Sequence, residues 1–517
     1  MKKITAFLLV ILMASTVLFA GGGQSRTTSS GVTEIEFVNM SSSWRVVDFG
    51  KDPVTAKFIE KTGVTFKTSA PQGDWQQIAT VWLASKDYPE MMHMNANHVI
   101  FNQYIEAGAL HPINKLAEQY NYPNIINGEY LYPGTVKAWT KPDGNFYLAP
   151  NWFSEDGFGS VGQAVNVRND IYKQFGEPVI NTMDDLYRYL IRIRDANMTS
   201  PDGAKLWALT YASSDVHYLG WIANFWGSKI YRYNYFDESA RNVKFMLRNP
   251  TMVSALQWLS KCLREGLLDP EALTYNGTTQ GQAFNQLKHG VNIAWIWNLW
   301  TPNALGTARS PDLFYKAINA PAGNPGVQPW HAHYHLSGTS GTMITKNCKN
   351  VEAAMRFINY FLSPEGQILN FYGIEGPSMY YKDGVPYLTD RTYDRWINDR
   401  DALRDDEGIR VWDFMNNQKY NWERHQEYPQ RQQDRAIANK YAFDGTIQVV
   451  TVIDALTPEG ILLADLEANI IPQLTRIIQE PNDSRIEQMV RDLIVEYERK
   501  GLARLEDAWT KQYLERL

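Results

Sequence analysis

Residues 34–97 carry the strongest constraint on how this chain folds. Glu34 to Met40 alternates and then turns apolar, as a strand entering a core does. Asp52-Pro53 starts a helix with Val54, Phe58 and Ile59 on one face, and Gly63 ends it. Val64 to Thr68 reads as a second strand. Asp74 caps the next helix, with Gln77 at the capping-box position and Ile78, Val81 and Trp82 as the expected apolar face. Pro89 to Met94 is a short buried strand, followed by the loop Asn95-Ala96-Asn97. Strand and helix alternating in this way predict a parallel α/β sheet. Ligands of such sheets bind beyond the carboxyl ends of the strands. Topology alone therefore nominates Trp44 and Asn95 as site residues.

The 517 residues exceed what one core supports and suit about two to four domains. Hydrophobic content of 44% and charged content of 21% are ordinary for a folded soluble protein. A net charge of -6, with both signs interspersed, argues against a nucleic-acid partner, which would need a basic face to displace phosphate counterions. The aromatic count stands out, at 17 Trp and 29 Tyr. Core filling covers most of these rings. The excess of Trp suggests a wet, amphipathic binding surface. Cys262 and Cys348 are the two cysteines, and buried or free thiols are expected ahead of a bridge.

Lys2 and Lys3 precede an apolar run from Ile4 to Phe19, and Ala20 and three glycines follow. This is the pattern of a secretory signal peptide, although Leu18 at the third position before the expected cut fits a signal peptidase poorly. Gln24 to Gly31 reads as a flexible leader. No later run is long and apolar enough to span a bilayer. The expected location is across the inner membrane, periplasmic or cell-surface associated. The first cysteine is Cys262, so no lipobox cysteine is expected.

Further along, Lys141 to Asn145 is a tight turn, Phe146 to Pro150 a strand, and Val165 to Arg168 another. Thr182 caps a long helix with Asp184 and Asp185 in its first turn. Val291 to Asn298 is a buried strand carrying Trp295 and Trp297, with Trp300 just beyond it. Pro321 to Pro329 is a Pro/Gly connector. Near the end, Thr457-Pro458-Glu459 opens a long helix, Ser484 with Glu487 suggests a capping box, and Gly501 closes that second helix before a last one.

The stretch Trp330 to Gly376 contains ITKNCKNVEAAMRFINYFLSPEG followed by YGIEG. Asn350 can cap a helix whose apolar face is Val351, Ala354, Met355, Ile358, Phe361 and Leu362, and Ser363-Pro364-Glu365 starts another. This run resembles the oligosaccharide-binding branch of the extracellular solute-binding proteins (family 1-like) that deliver sugars to ABC importers. The resemblance extends over nearly all of the chain after the leader. It implies a two-lobed periplasmic-binding-protein fold of type II, α/β in class, with hinge crossovers and a helical C-terminal extension. The stretch itself would belong to the first lobe despite coming late. The crossings are expected near 150, 320 and 375. The expected division is 1–20 signal peptide, 21–31 leader, 32–150 plus 322–374 lobe 1, and 151–321 plus 375–517 lobe 2. The implied partners are an oligosaccharide and the membrane permease subunits of an ABC importer, with the protein a monomer, no cofactor and no chemistry performed on the ligand.

A pyranose has apolar C–H faces and a hydroxyl rim, so indoles and placed amide, acid or imidazole groups suit it. Trp297, Asn298 and Trp300, at the end of a strand, form the best local case. Asn151 and Trp152 at the first crossing come next, then Trp44 and Trp330. Trp221 and Trp226 lie on a helix, where Trp is more often core. His335 is read as a cleft-lining group, and the resemblance places Glu375 near the cleft. His331, His333 and His335 form an HxHxH run, but an extended segment sets its rings in a row and not around a point, so no metal is expected. Asp195 to Gly203 sits where relatives carry a calcium loop. It lacks the inner glycines and closing acids and reads as a turn. No nucleophile motif stands out. A glycosidase pair of carboxylates about 5 Å apart cannot be placed from sequence. An oligopeptide-binding protein and a secreted glycoside-processing enzyme remain the alternatives.

Overall fold

Five strands form the first sheet, in the order 64–69, 33–39, 91–95, 340–344, 149–151. The computed structural model describes residues 31–40, 46–159, 161–213, 216–454 and 456–517. The signal segment, most of the leader and Trp44 lie outside these. Strand Thr33–Asn39 pairs in parallel with Val64–Ser69 and Met91–Asn95, as the alternating pattern predicts. Strand Ser340–Ile344 enters late and runs antiparallel to both Met91–Asn95 and Ala149–Asn151. The helices between them are capped as their sequences require. Asp52 accepts from the Thr55 amide at 2.8 Å, and Asn350 from that of Ala353 at 3.0 Å. Two local expectations fail. Val81 is 64% exposed, because the helix Trp75–Ser85 buries Ala79 instead. The helix Asp483–Lys500 is capped by Asn482 and not by Ser484.

The second sheet has the order 315–318, 163–168, 289–295, 207–211. Strand Gln163–Arg168 runs antiparallel to both its neighbours, and His289–Trp295 is parallel to Trp207–Tyr211. Thr182 and Asp185 form a reciprocal capping box on the helix Met183–Asp195 that covers this sheet. The C-terminal helices Pro458–Ile478, Asp483–Lys500 and Leu502–Leu514 pack in the same core through Leu466, Ile470, Val490 and Trp509. Cys262 and Cys348 are free thiols buried in separate cores, one in each lobe. Among the described residues no helix is long and apolar enough to cross a membrane.

Register shows which strand ends the crossing segments join. Asn95, Ser340 and Asn151 share one edge of the first sheet, through the pairs Asn95↔Ser340 and Ser340↔Asn151. Trp295 and Gln163 are partners at one edge of the second, where Tyr211 and Ile318 also end their strands. The chain leaves Asn151 to reach Gln163 and leaves Ile318 to reach Ser340, so segments 152–162 and 319–339 join these two edges. The crossing is tight: a Cβ on Gly338 would stand 1.9 Å from the Asn151 carbonyl oxygen, and its φ of +70° suits glycine alone. Within the crossing region, Ala332–Tyr334 pairs in parallel with Ala442–Asp444.

The crossing expected near 375 is not there. Residues 371–422 form a small third core around Tyr372, Trp396 and Trp422. From it Trp412, Phe414 and Met415 enter the core of the first lobe, whereas the expected division places 375–517 in the second. The Trp412 ring stacks on Phe66 at 4.8 Å, and the Gln367 amide donates to the Met415 carbonyl at 3.1 Å. The chain passes over only after Trp422. The helix Pro429–Lys440 lies on the second sheet, where Asp434 accepts from the Ala317 amide at 2.8 Å. It returns once more, placing Val449 and Val450 in the first core and Ile453 in the second.

Candidate functional site

The facing edge of the second sheet is built from aromatic rings. Strand His289–Trp295 ends in a single 3-10 turn, Ile296–Leu299, and the helix Trp300–Thr307 follows directly. That reversal folds Trp297 back onto Trp295, stacked at 4.3 Å and 17°. Both rings are half-buried. A Cβ on Gly162 would meet the Trp297 ring at 2.0 Å, so only glycine at the end of the first crossover leaves room for it. Trp221 meets Trp295 edge-on at 4.6 Å and Tyr218 at 4.2 Å. The Asn298 amide donates to the Tyr218 hydroxyl at 3.2 Å. Trp300 is half-buried, and the Arg431 guanidinium lies over its ring at 4.3 Å.

The first lobe presents a different chemistry. Asn95 is exposed at the edge and accepts from the Asn97 amide at 3.0 Å. Trp152, half-buried with φ +59°, opens the crossover. The Arg410 guanidinium stands 4.9 Å from its ring and 4.7 Å from that of Trp396. The Arg400 guanidinium also lies over the Trp396 ring, at 4.8 Å. Behind these rings runs a buried chain of charges. Arg410 pairs with Asp413 at 3.2 Å and Glu423 at 3.6 Å, and Arg435 pairs with Glu423 at 3.4 Å and Glu427 at 3.0 Å. Burial pushes the Asp413 and Glu427 carboxyls up, and the adjacent arginines oppose it. Burial likewise raises Asp434 to about 6. Burial brings Arg400 down to about 10, helped by the charges of Arg410, Arg404 and Arg431.

The nominated residues divide. Trp297, Asn298 and Trp300 gather where the strand His289–Trp295 ends, and Trp152 opens the first crossover from the other sheet. Trp330 is half-buried on the second crossover with Lys229 over its ring at 4.9 Å, and Trp226 lies against Gly323. Trp221 is a correction. It is 2% exposed and part of the second core, where it backs Trp295 instead of offering a face. Asn151 is another. It is 1% exposed, donates to the Asp413 carbonyl at 2.7 Å and accepts from the Asn416 amide at 2.8 Å. Both ends of its amide are thus engaged by backbone. Glu375 is exposed on the turn bridged to Met379, beside Tyr381, and belongs to the third core's hairpin rather than to the ring cluster. His335 is 8% exposed, and burial lowers it to about 4.

His331 is buried between Phe225 and Tyr441, and burial lowers it to about 3. The ring of His333 lies outside the described residues. In the Asp195–Gly203 loop, Asp195 is held by Arg194 at 2.8 Å and Asp202 by Arg309 at 2.9 Å. Each acid is engaged by its own arginine, and the two do not converge on a point.

Sequence reasoning missed Tyr218, Trp396, Arg400, Arg410 and Arg431. The last four fall in the charge-rich stretch after Gly376, which reads locally as solvated helix and turn.

The family model for bacterial extracellular solute-binding proteins matches residues 46–368. No curated protein matches the sequence. Solved structures with a similar fold include the alginate-binding protein AlgQ2 without calcium ion, at 21% identity and TM-score 0.72, over 93% of this chain and 97% of that one. A second is the S. pneumoniae ABC-transporter substrate-binding protein FusA in complex with kestose, at 19% identity and TM-score 0.71, over 93% and 99%. A third is an extracellular solute-binding protein from Bifidobacterium longum subsp. infantis, at 16% identity and TM-score 0.72, over 94% and 99%.

Proposed function

The chain belongs to the bacterial extracellular solute-binding proteins, and from that membership we propose that it captures an oligosaccharide between its lobes for an ABC importer. The observation that carries this reading is the set of half-buried rings at the two joined sheet edges. Trp295, Trp297 and Trp300 stand on one side and Trp152 on the other. Indole faces cover the apolar faces of pyranoses, and the amides of Asn298 and Asn95 serve the hydroxyl rim. The titles of the fold neighbours, naming alginate and kestose, support the same class of ligand.

The lobes are taken as 32–151 with 340–422, and 163–318 with 429–440 and 453–517, joined by segments 152–162, 319–339 and the two later passes. Closure about these segments takes the rings out of water and creates the shape that permease subunits read. The ligand leaves unaltered. The protein acts as a monomer outside the inner membrane, in the periplasm or at the cell surface.

A thermal-shift screen against plant and algal oligosaccharides and against peptides tests this, with mass spectrometry of the recovered ligand. A glycan present at a hundred times its Kd stabilises by about 2.7 kcal/mol and is recovered intact. Stabilisation by peptides alone, or shortened glycans with new reducing ends, refutes it.

A further inference from the structure

We propose that the cargo carries an oxyanion, a uronate carboxylate or a sulfate ester, seated between Arg400, Arg410 and Arg431. This rests on the oligosaccharide reading above and narrows it.

The three guanidiniums lie against rings on both lobes, and Arg410 and Arg431 are near enough to Arg400 to act on its charge. Arg400 and Arg410 belong to the 371–422 unit and lie over the Trp396 ring at 4.8 and 4.7 Å. Arg431 lies in the first turn of the helix Pro429–Lys440 on the second sheet and covers Trp300 at 4.3 Å. Among the described residues neither Arg400 nor Arg431 makes an ion pair or a hydrogen bond. Arg400 Nε, Arg410 Nε and one terminal nitrogen of Arg431 are shut off from water with no acceptor.

The acids nearby are engaged elsewhere. Asp413 holds Arg410 at 3.2 Å, Glu423 lies between Arg410 and Arg435, and Glu427 holds Arg435 at 3.0 Å. Asp434 accepts from the Ala317 amide and from Gln430. Arg400 and Arg431 are thus left with no carboxylate in contact, and burial first, then the charges of Arg410, Arg404 and Arg431 against that of Glu423, brings the pKa of Arg400 down.

Burying a charge without a partner is costly, so such an arrangement persists where a ligand completes it. A guanidinium fork matches a planar carboxylate or a sulfate through paired N–H groups, and a lone hydroxyl cannot satisfy it in the same way. Because the arginines come from both lobes, an anion among them also draws the lobes together. A neutral glycan would stack on the same rings and leave these donors empty.

The test is calorimetric titration of the full chain. The probes are tetrasaccharides of galacturonate, mannuronate, guluronate and glucuronate, each with its carboxyl-reduced neutral twin, and a sulfated galactan tetrasaccharide with its desulfated twin. The expected result is that at least one acidic member binds roughly tenfold or more tighter than its neutral twin, with affinity falling as salt rises. Arg400→Gln and Arg431→Gln should each reduce the preference for the acid over its neutral twin to within about threefold. Preference for uronate or for sulfate identifies the source of the oxyanion. Neutral twins binding as tightly as the acids in the unaltered protein overturn this inference and leave the oligosaccharide reading standing. Peptide binding with no glycan bound overturns both.

Discussion

Replacing Asn151 with alanine separates two roles for a residue that sits between ring cluster and core. Its side chain holds the Asp413 carbonyl at 2.7 Å and the Asn416 amide at 2.8 Å, and all three residues are essentially shut off from water. Alanine would leave one buried acceptor and one buried donor without partners. Each unsatisfied group costs about 1–3 kcal/mol, so Asn151→Ala should destabilise the protein by roughly 2–6 kcal/mol. For a unit of this size, at roughly 2–4 °C per kcal/mol, that lowers Tm by about 4–24 °C. Asn95→Ala removes an exposed amide at the same sheet edge and should shift Tm by no more than about 2 °C. Differential scanning calorimetry of both variants, with and without the best glycan from the screen, gives the comparison. If Asn151→Ala keeps the Tm of the unaltered protein but loses ligand binding, Asn151 faces the cargo, and the buried bridge to residues 413–416 is wrong.

Gly162→Ala should force the Trp297 ring off Trp295, because the new Cβ would lie 2.0 Å from it. The near-UV circular dichroism of the stacked pair should collapse and ligand affinity fall by roughly tenfold, for about 1–3 kcal/mol of lost stability; an unchanged spectrum rules the packing out. His331 is held neutral by burial, with its pKa lowered to about 3. Between that value and the unfolded value of about 6.5, the unfolded chain binds the extra proton, so stability present above pH 6.5 is lost as pH falls. In urea titrations from pH 7 to 4.5, His331→Phe should remove about 1.4 kcal/mol per pH unit of that acid sensitivity, and parallel pH profiles would contradict it.

What sequence disclosed was local. Asp52, Asn350 and Ser363 announce helix starts through their own side chains, and each accepts the amide its spacing predicts. The alternation in Thr33–Asn39 and the placing of Trp297 and Trp300 past a strand end are likewise short-range facts. Failures came where distant segments decide the outcome. Trp412 fills the first lobe's core about 350 residues after Phe66, and no periodicity assigns a segment to one of two cores. Trp221 reads as a helical indole, more often core than platform, and Trp295 and Tyr218 close over it. Asn151 looked free because its partners are backbone groups some 260 residues away. The arginine cluster was invisible because Arg400, Arg410 and Arg431 each look like solvated charge until the fold brings them to Trp396 and Trp300.

The account stands on indole faces gripping a sugar between hinged lobes, and Trp300 is where this is most directly measured. Fluorescence titration of Trp300→Ala with the best glycan, beside calorimetry of the ligand-free protein, should show affinity reduced at least roughly tenfold. The free protein should lose less than about 1 kcal/mol of stability, as a half-buried surface ring does. Unchanged affinity, or a loss of about 3–5 kcal/mol in the free protein as for a core aromatic, would contradict the claim.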